Sequence, residues 1–460
     1  MSAFVSRRGA MRGMQALRRL ETSTLVQPSQ KFRWQYCRSL SRTARLYGRQ
    51  DPLLSAQTEK RQWSTPLAEQ LAAAILTTGP IPLASFMLSQ VFGELVAIWF
   101  VAEWMSQGRP SRGVELMELG PGRGTLMSDV LRTIKRFGDM SNSLDAIYMV
   151  EASPELRKAQ KNLLCGEDAP LTESEIGYHS VCKQTQLPIV WTETVQSIPK
   201  IPSEKSAGTT NPSSAPETTL KSTLEWRELV VSPTPPGSTH ESLNTPATQR
   251  WDTPPPDFQL TLSSLATRHS RYLPDSSPRY RAMKKVADAQ IEVCPDASLY
   301  AGDIASRIGG SVQNPKPRPS GAALILDYGP GDGTIPVNSL RGIRRHQRVS
   351  PFVEPGLTDL SADVDFAAVA EAAMRASEGV EVHGPVPQGY FLEAMGIKQR
   401  ADNLIKNCKE PSKAADVDRA WKRLVDRGSN GMGKIYQALA ILPENDGKRR
   451  PVGFGGDVGE

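Results

Sequence analysis

Three glycines at every second position, Gly120, Gly122 and Gly124, follow an acidic residue, Glu118, at the end of an apolar run through Val114, Leu116 and Leu119. Thr125 comes next, and behind it Leu126, Val130, Leu131 and Ile134 recur at helical spacing, within an expected helix from Leu126 to Phe137. Strand, tight glycine turn and helix is the arrangement by which a Rossmann-like sheet points backbone N–H groups at a nucleotide. Glycine suits the turn because a side chain would block close approach and the backbone can require positive φ. The spacing argues against two other phosphate binders. A P-loop needs Lys-Ser/Thr after its glycines, whereas Leu126 follows Gly124-Thr125, and a dinucleotide fold needs G-x-G-x-x-G rather than G-x-G-x-G. A second apolar run, Ala146 to Val150, ends in Glu151. An acid there can accept both hydroxyls of a ribose, or can simply cap the helix beginning at Pro154.

These residues need a sheet and helices to hold them. Strands are expected at Pro188 to Thr194, Leu224 to Ser232, Phe258 to Ser263 and Gly321 to Tyr328. Helices are expected at Leu88 to Met105, Arg279 to Ala289, Asp296 to Ile308, Gln399 to Asn407, Ala414 to Val425 and Lys434 to Leu442. A further helix opens at Thr65-Pro66 and stops at Gly79-Pro80. The fold class is therefore α/β, a Rossmann-like sheet with helical additions. Leu88 to Met105 would pack beneath the glycine turn, with Gln90 and Glu94 at its polar edge or at the pocket. Functional groups in such sheets sit at the carboxyl ends of strands, which makes Asp327 and Tyr328 pocket candidates. The basic stretch Arg341, Arg344, Arg345 and Arg348 reads as a solvated face that can steer an acidic partner. Asp359, Asp363 and Asp365 form one short acidic stretch lacking the glycine and glutamate of a calcium loop. Helix capping by Asp359 or Ser361 is its plain reading.

The first fifty residues are of different composition, with ten arginines and Lys31 against Glu21. Without these eleven bases and one acid, the chain's 55 bases and 49 acids leave the remainder at a net charge of about −4. Arg-rich, Ser-containing and acid-poor is the composition of a mitochondrial presequence, with a nucleic-acid-binding arm as the other reading. No apolar run reaches 18 residues, so no membrane-spanning segment is expected. The five cysteines are scattered and include no C-x-x-C, so neither a disulfide framework nor a zinc site is expected, and no other metal. The expected organisation is a presequence over 1–55, N-terminal helices and the cosubstrate-binding half over 64–198, and a Pro/Ser/Thr-rich low-order insert over 199–256. The second half of the domain with its cap helices follows over 257–445, and a flexible tail over 446–460.

An acid two residues before G-x-G-x-G resembles the first motif of class I S-adenosylmethionine (SAM) methyltransferases. The resemblance sharpens with Thr78-Gly79-Pro80-Ile81, Ser89-Gln90-Val91-Phe92-Gly93-Glu94, Glu292 to Ala297, Leu326 to Gly329, Leu357 to Phe366 and Leu392 to Ile397. In this order these blocks resemble the MidA-type family of mitochondrial protein arginine methyltransferases that assist assembly of respiratory complex I. The resemblance implies SAM as cosubstrate, held by Glu118, Gly120, Gly122, Gly124, Thr125 and Glu151. It implies a core iron–sulfur subunit of complex I as acceptor in the mitochondrial matrix, with symmetric dimethylation of an arginine. A guanidinium stays protonated and prefers carboxylates, so Asp327, Asp363 and Asp365 are the catalytic candidates under this resemblance.

The chain departs from the family pattern twice. Met87 runs almost directly into Leu88-Ser89-Gln90, where the family carries Gly-Asp-Phe and Thr-Ser-Pro-Glu-Ile motifs. Ile198 to Pro256 is rich in Ser, Thr and Pro where the family has a central strand ending in a His-Glu-Phe-Phe-Asp-like loop. Losing a central strand would open the sheet. These departures keep alive a catalytically silent assembly factor, or a mis-spliced or wrongly predicted gene.

Overall fold

The structure is a computed structural model that describes residues 2–8, 83–198, 225–241, 243, 255–344, 347–355, 357–428 and 431–455, with backbone alone for 2–8, 83–90 and 347. The expected opening helix from Thr65 and most of the expected leader lie outside these residues.

The strands are β1 (Ser2–Arg8), β2 (Val114–Leu119), β3 (Leu144–Val150), β4 (Thr172–Ser174), β5 (Gly177–Val181), β6 (Pro188–Thr192) and β7 (Leu229–Pro233). There follow β8 (Phe258–Leu262), β9 (Ala322–Tyr328), β10 (Arg341–Arg344), β11 (Gln347–Val349), β12 (Asp359–Ser361), β13 (Val380–Pro387) and β14 (Tyr436–Pro443). The principal helices are α1 (Leu83–Ser106), α2 (Thr125–Ile134), α3 (Pro154–Leu164), α4 (Pro295–Gly309), α5 (Phe366–Ala376), α6 (Gln388–Ala394), α7 (Ile397–Lys406) and α8 (Pro411–Val425).

A nine-stranded sheet runs in the order β13-β14-β9-β1-β2-β3-β6-β5-β4. β2, β3 and β6 are parallel. Because β1 is antiparallel to both β2 and β9, those two strands point the same way. The carboxyl ends of β2, β3, β6 and β9 therefore share one edge, where open α/β sheets bind ligands. Side-chain alternation divides the core into two layers. Leu116, Ile147, Met149 and Ile189 join Leu95, Trp99, Val130 and Leu131 of α1 and α2 on one face. Met117, Leu119, Tyr148 and Val190 join Ile304, Ile308, Phe366 and Val369 of α4 and α5 on the other. This is the expected Rossmann-like α/β arrangement. Gly93 lets α1 approach α2 closely, since a Cβ there would meet Asp129 Cβ at 2.6 Å. Glu94 of α1, expected at a polar edge or pocket, pairs with Arg400 of α7 at 2.7 Å.

Three expectations need correction. The central slot is not open: β1, from the segment read as a presequence, pairs along Ser2–Ser6 with β9 and along Phe4–Arg8 with β2. Lys434 to Leu442, expected as a helix, forms the strand β14 instead. Its Ala438 to Leu442 run is buried on both faces between β9 and β13, so tertiary placement overrides the helix propensity of alanine and leucine. Within the insert, the strand expected at Leu224 to Ser232 is present as β7, paired antiparallel with the expected strand β8. The tail is anchored through residue 454. Arg449 donates to buried Glu103 at 2.9 Å, the Trp99 indole donates to Val452 O at 3.1 Å, and the Phe454 ring lies 5.5 Å from that of Phe391. A buried carboxylate and indole each need a partner, and the tail supplies both.

Candidate cosubstrate and acceptor site

β2 delivers Glu118 and Leu119 to the ligand edge, and the chain then turns through three left-handed glycines. Gly120, Gly122 and Gly124 have φ of 65°, 54° and 79°, a region costly for residues with a Cβ. Gly120 N–H donates to Val150 O at 3.1 Å, fixing the start of the turn against β3. Gly124 N–H donates to Pro121 O at 2.8 Å and Gly124 stands at the N-terminus of α2. Among the described residues, a Cβ on Gly122 would meet nothing within 4 Å, so that side of the turn faces open space. A Cβ on Gly124 would press on Gln160 at 3.2 Å. Thr125 is the exposed first residue of α2.

Glu118 is 1% exposed. Burial pushes its carboxyl up to about 8, and a hydrogen bond from Met127 N–H draws it partly back. Its second oxygen, Oε2, is buried with no partner among the described residues. Unpaired buried oxygens are costly, and here the orphan lies beside the glycine turn.

Glu151 follows β3 and is anchored by N–H donation to Thr192 O at 2.9 Å. The helix cap is Ser153, whose Oγ accepts from Leu156 N. Glu151 is thus spared that task. Its Oε1 accepts from Ser153 N–H at 2.9 Å and its Oε2 from Gln160 Nε2 at 3.3 Å. A carboxylate offers about four acceptor positions, so among the described residues each oxygen keeps one more. Gln160 of α3 is fully buried and also donates to Gly122 O at 2.6 Å. The glycine turn, Glu118 and Glu151 thus stand together at the carboxyl ends of β2 and β3, linked through Gln160.

The second cluster gathers at the end of β9. Register places Leu324 and Glu118 at one height across β1, so Asp327, three residues on, stands level with the glycine turn. Two strand spacings, about 10 Å, separate β9 from β2. Asp327 accepts the N–H of Tyr328 at 2.8 Å. The Tyr328 ring lies 4.2 Å from that of Tyr436 on β14, and Arg341 lies over the Tyr328 ring at 4.9 Å. Burial, first, and the hydrogen bond with Tyr328 push the Tyr436 hydroxyl above its ordinary range. The acidic stretch returns to this place because Val364 N–H donates to Tyr328 O at 2.8 Å.

The three candidate aspartates differ in what they hold. Asp363 pairs with Arg341 at 2.6 Å. Asp365 caps α5 through Ala368 N–H, takes Arg279 Nη1 with both oxygens at 2.9 and 3.0 Å, and accepts the Tyr280 hydroxyl at 2.8 Å. Asp359 lies on β12, so the cap is Asp365 rather than Asp359 or Ser361. Asp327 and Asp363 share the Tyr328 cluster, whereas Asp365 serves the layer beneath. Sequence reasoning missed Gln160, Trp191, Arg279 and Tyr436. Gln160 alone carried a local signal, a polar residue midway in the Leu156–Gln160–Leu164 stripe.

Residues 95–386 match a family described as "Putative S-adenosyl-L-methionine-dependent methyltransferase". The mitochondrial protein arginine methyltransferase NDUFAF7 of Rattus norvegicus is 30% identical over 82% of this chain and 85% of its own length. The protein named as its mitochondrial homolog in Drosophila melanogaster is 30% identical over 86% of this chain and 88% of its own length. A solved structure of a superfamily member from Burkholderia thailandensis, bound to S-adenosyl-homocysteine, is 20% identical with a TM-score of 0.46, over 85% of this chain and 92% of that one. With the family match spanning more than half the sequence, and relatives at 30% identity matched along most of their length, the chain belongs to the MidA-type family of S-adenosylmethionine-dependent methyltransferases.

Proposed function

We propose that the protein methylates an arginine side chain of a core iron–sulfur subunit of complex I in the mitochondrial matrix, forming symmetric dimethylarginine during assembly. The observation that carries the reading is Glu151, whose oxygens each keep an acceptor position for a ribose hydroxyl beside a turn of three left-handed glycines. The relatives' names support an arginine acceptor and a mitochondrial setting. SAM supplies an electrophilic sulfonium methyl, whose transfer to the acceptor nitrogen leaves S-adenosylhomocysteine and a proton. Glu118, Gly120, Gly122, Gly124 and Thr125 shape the cosubstrate half and Glu151 takes the ribose. At the end of β9, Asp327 orients the acceptor guanidinium beside the Tyr328 and Tyr436 rings. Asp363 and Asp365 support that wall through Arg341 and Arg279. The rate then comes from positioning and desolvation rather than from a covalent intermediate.

One observation favours a second reading, an assembly factor that binds without transferring. Asp363 and Asp365 are already engaged by the chain's own arginines. Incubation with methyl-labelled SAM and isolated complex I iron–sulfur subunits, followed by mass spectrometry, separates the two. Labelled dimethylarginine that disappears with Glu151→Ala supports the enzyme. SAM binding with no label on any subunit supports the silent factor.

A further inference from the structure

We propose that Gln160 and Trp191 are a positioning pair that sets the Glu151 carboxylate for the ribose diol; this rests on the SAM reading of the site. Gln160 is 0% exposed and Trp191 1% exposed, so every polar atom there needs a partner within the protein. The Gln160 amide meets that demand in one orientation. Its Nε2 donates to Gly122 O at 2.6 Å and to Glu151 Oε2 at 3.3 Å. Its Oε1 accepts from the indole N–H of Trp191 at 3.0 Å.

Flipping the amide would turn its oxygen toward the Gly122 carbonyl and the Glu151 carboxylate, both acceptors. It would also turn its N–H groups toward the indole donor. Three matched contacts would become mismatched, so the donor-only indole of Trp191 dictates which way the amide points. Ser153 N–H holds Oε1 of Glu151, and Gln160 is the side chain that holds Oε2. Without it the carboxylate rotates about the Ser153 contact, and its two oxygens no longer face two hydroxyls together. The same amide ties the carbonyl of Gly122, at the open side of the turn, to that carboxylate. One buried side chain thereby sets the spacing between the part of the site that meets the ligand's backbone-bound end and the part that reads its sugar.

Calorimetric titration of the full chain with S-adenosylhomocysteine and with its 2′-deoxy analogue tests this. The wild-type protein should bind the 2′-deoxy analogue about 10- to 100-fold more weakly, the range for a hydrogen bond to a charged group. In Gln160→Met, which keeps side-chain length, that ratio should fall to within about threefold as S-adenosylhomocysteine affinity drops about tenfold. Trp191→Phe keeps the ring in the core but frees the amide to flip, and should lower the ratio partway. A merely structural role would weaken both ligands equally, so an unchanged ratio in Trp191→Phe and in any Gln160→Met protein that binds overturns the proposal. Failure of the SAM reading shows separately, as no binding of S-adenosylhomocysteine by folded wild-type protein, and it removes the proposal as well.

Discussion

Glu118 accepts the backbone N–H of Met127, so the last acidic residue of β2 is tied to the first turn of the helix beyond the glycines. Its carboxyl rises from 4.5 to about 8 in the folded protein because burial disfavours the charge. Between those values the folded state binds a proton that the unfolded state has released. Stability conferred by this group is therefore lost as pH rises from about 5 through 8. At 1.36 kcal/mol per pH unit the span is at most about 5 kcal/mol. Glu118→Gln should flatten that slope, which denaturant melts at pH 5, 7 and 9 would read. An unchanged slope would mean that Glu118 is not its source.

The glycines should separate strain from ligand contact. Gly124→Ala meets both a positive φ and Gln160 at 3.2 Å, whereas Gly122→Ala meets only the positive φ. A loss of about 2 kcal/mol is expected for Gly124→Ala and about 1 kcal/mol for Gly122→Ala. Both should weaken S-adenosylhomocysteine at least about tenfold, Gly122→Ala because its Cβ projects into the open side of the turn. Chemical denaturation and calorimetry give the two numbers. Equal stabilities would contradict the packing described at Gly124.

The aspartates should divide by role. Asp365→Ala strips from Arg279 Nη1 the buried carboxylate that accepts with both oxygens, and removes a cap from α5, and should cost about 3 kcal/mol of stability. Asp363→Asn loosens Arg341 with a loss of about 1 kcal/mol. Asp327→Asn should leave the melting temperature and SAM affinity near wild type and lower methyl transfer by about a hundredfold. Transfer undiminished in Asp327→Asn would remove that residue from the acceptor site.

β1 joins the two halves of the sheet, since it is the strand that β2 and β9 both pair with. Deleting residues 1–8 should therefore unpair their facing edges and abolish the cooperative thermal transition. A deletion protein with the wild-type melt would show that the slot can be filled without these residues. N-terminal sequencing of the protein recovered from mitochondria would show whether a presequence over 1–55 is removed.

What could be read from the sequence was what local pattern encodes. The apolar runs of β2, β3, β6 and β9 and the spacing of α1, α2, α4, α7 and α8 were all visible. So were Glu118, the three glycines and Glu151, because turn chemistry follows from neighbours in the chain. The strand β13 gave no sequence expectation, and β14 looked helical because Ala438, Leu439, Ala440 and Leu442 are helix formers whose strand state comes from β9 beside them. Basic composition hid the strand potential of Ser2–Arg8. Tyr436 reaches Tyr328, and Arg279 reaches Asp365, across long stretches of sequence. No spacing rule links such residues.

The anchored tail also bears on when the protein can finish folding. The indole of Trp99 waits for a carbonyl 353 residues later, and Glu103 for an arginine 346 residues later. Until the tail docks, the helix that underlies the glycine turn has an acid without its cation and an indole without its acceptor. A chain whose tail has not docked leaves both polar groups to be satisfied by water. The α1 face is therefore complete only once residues 449–454 have docked on it.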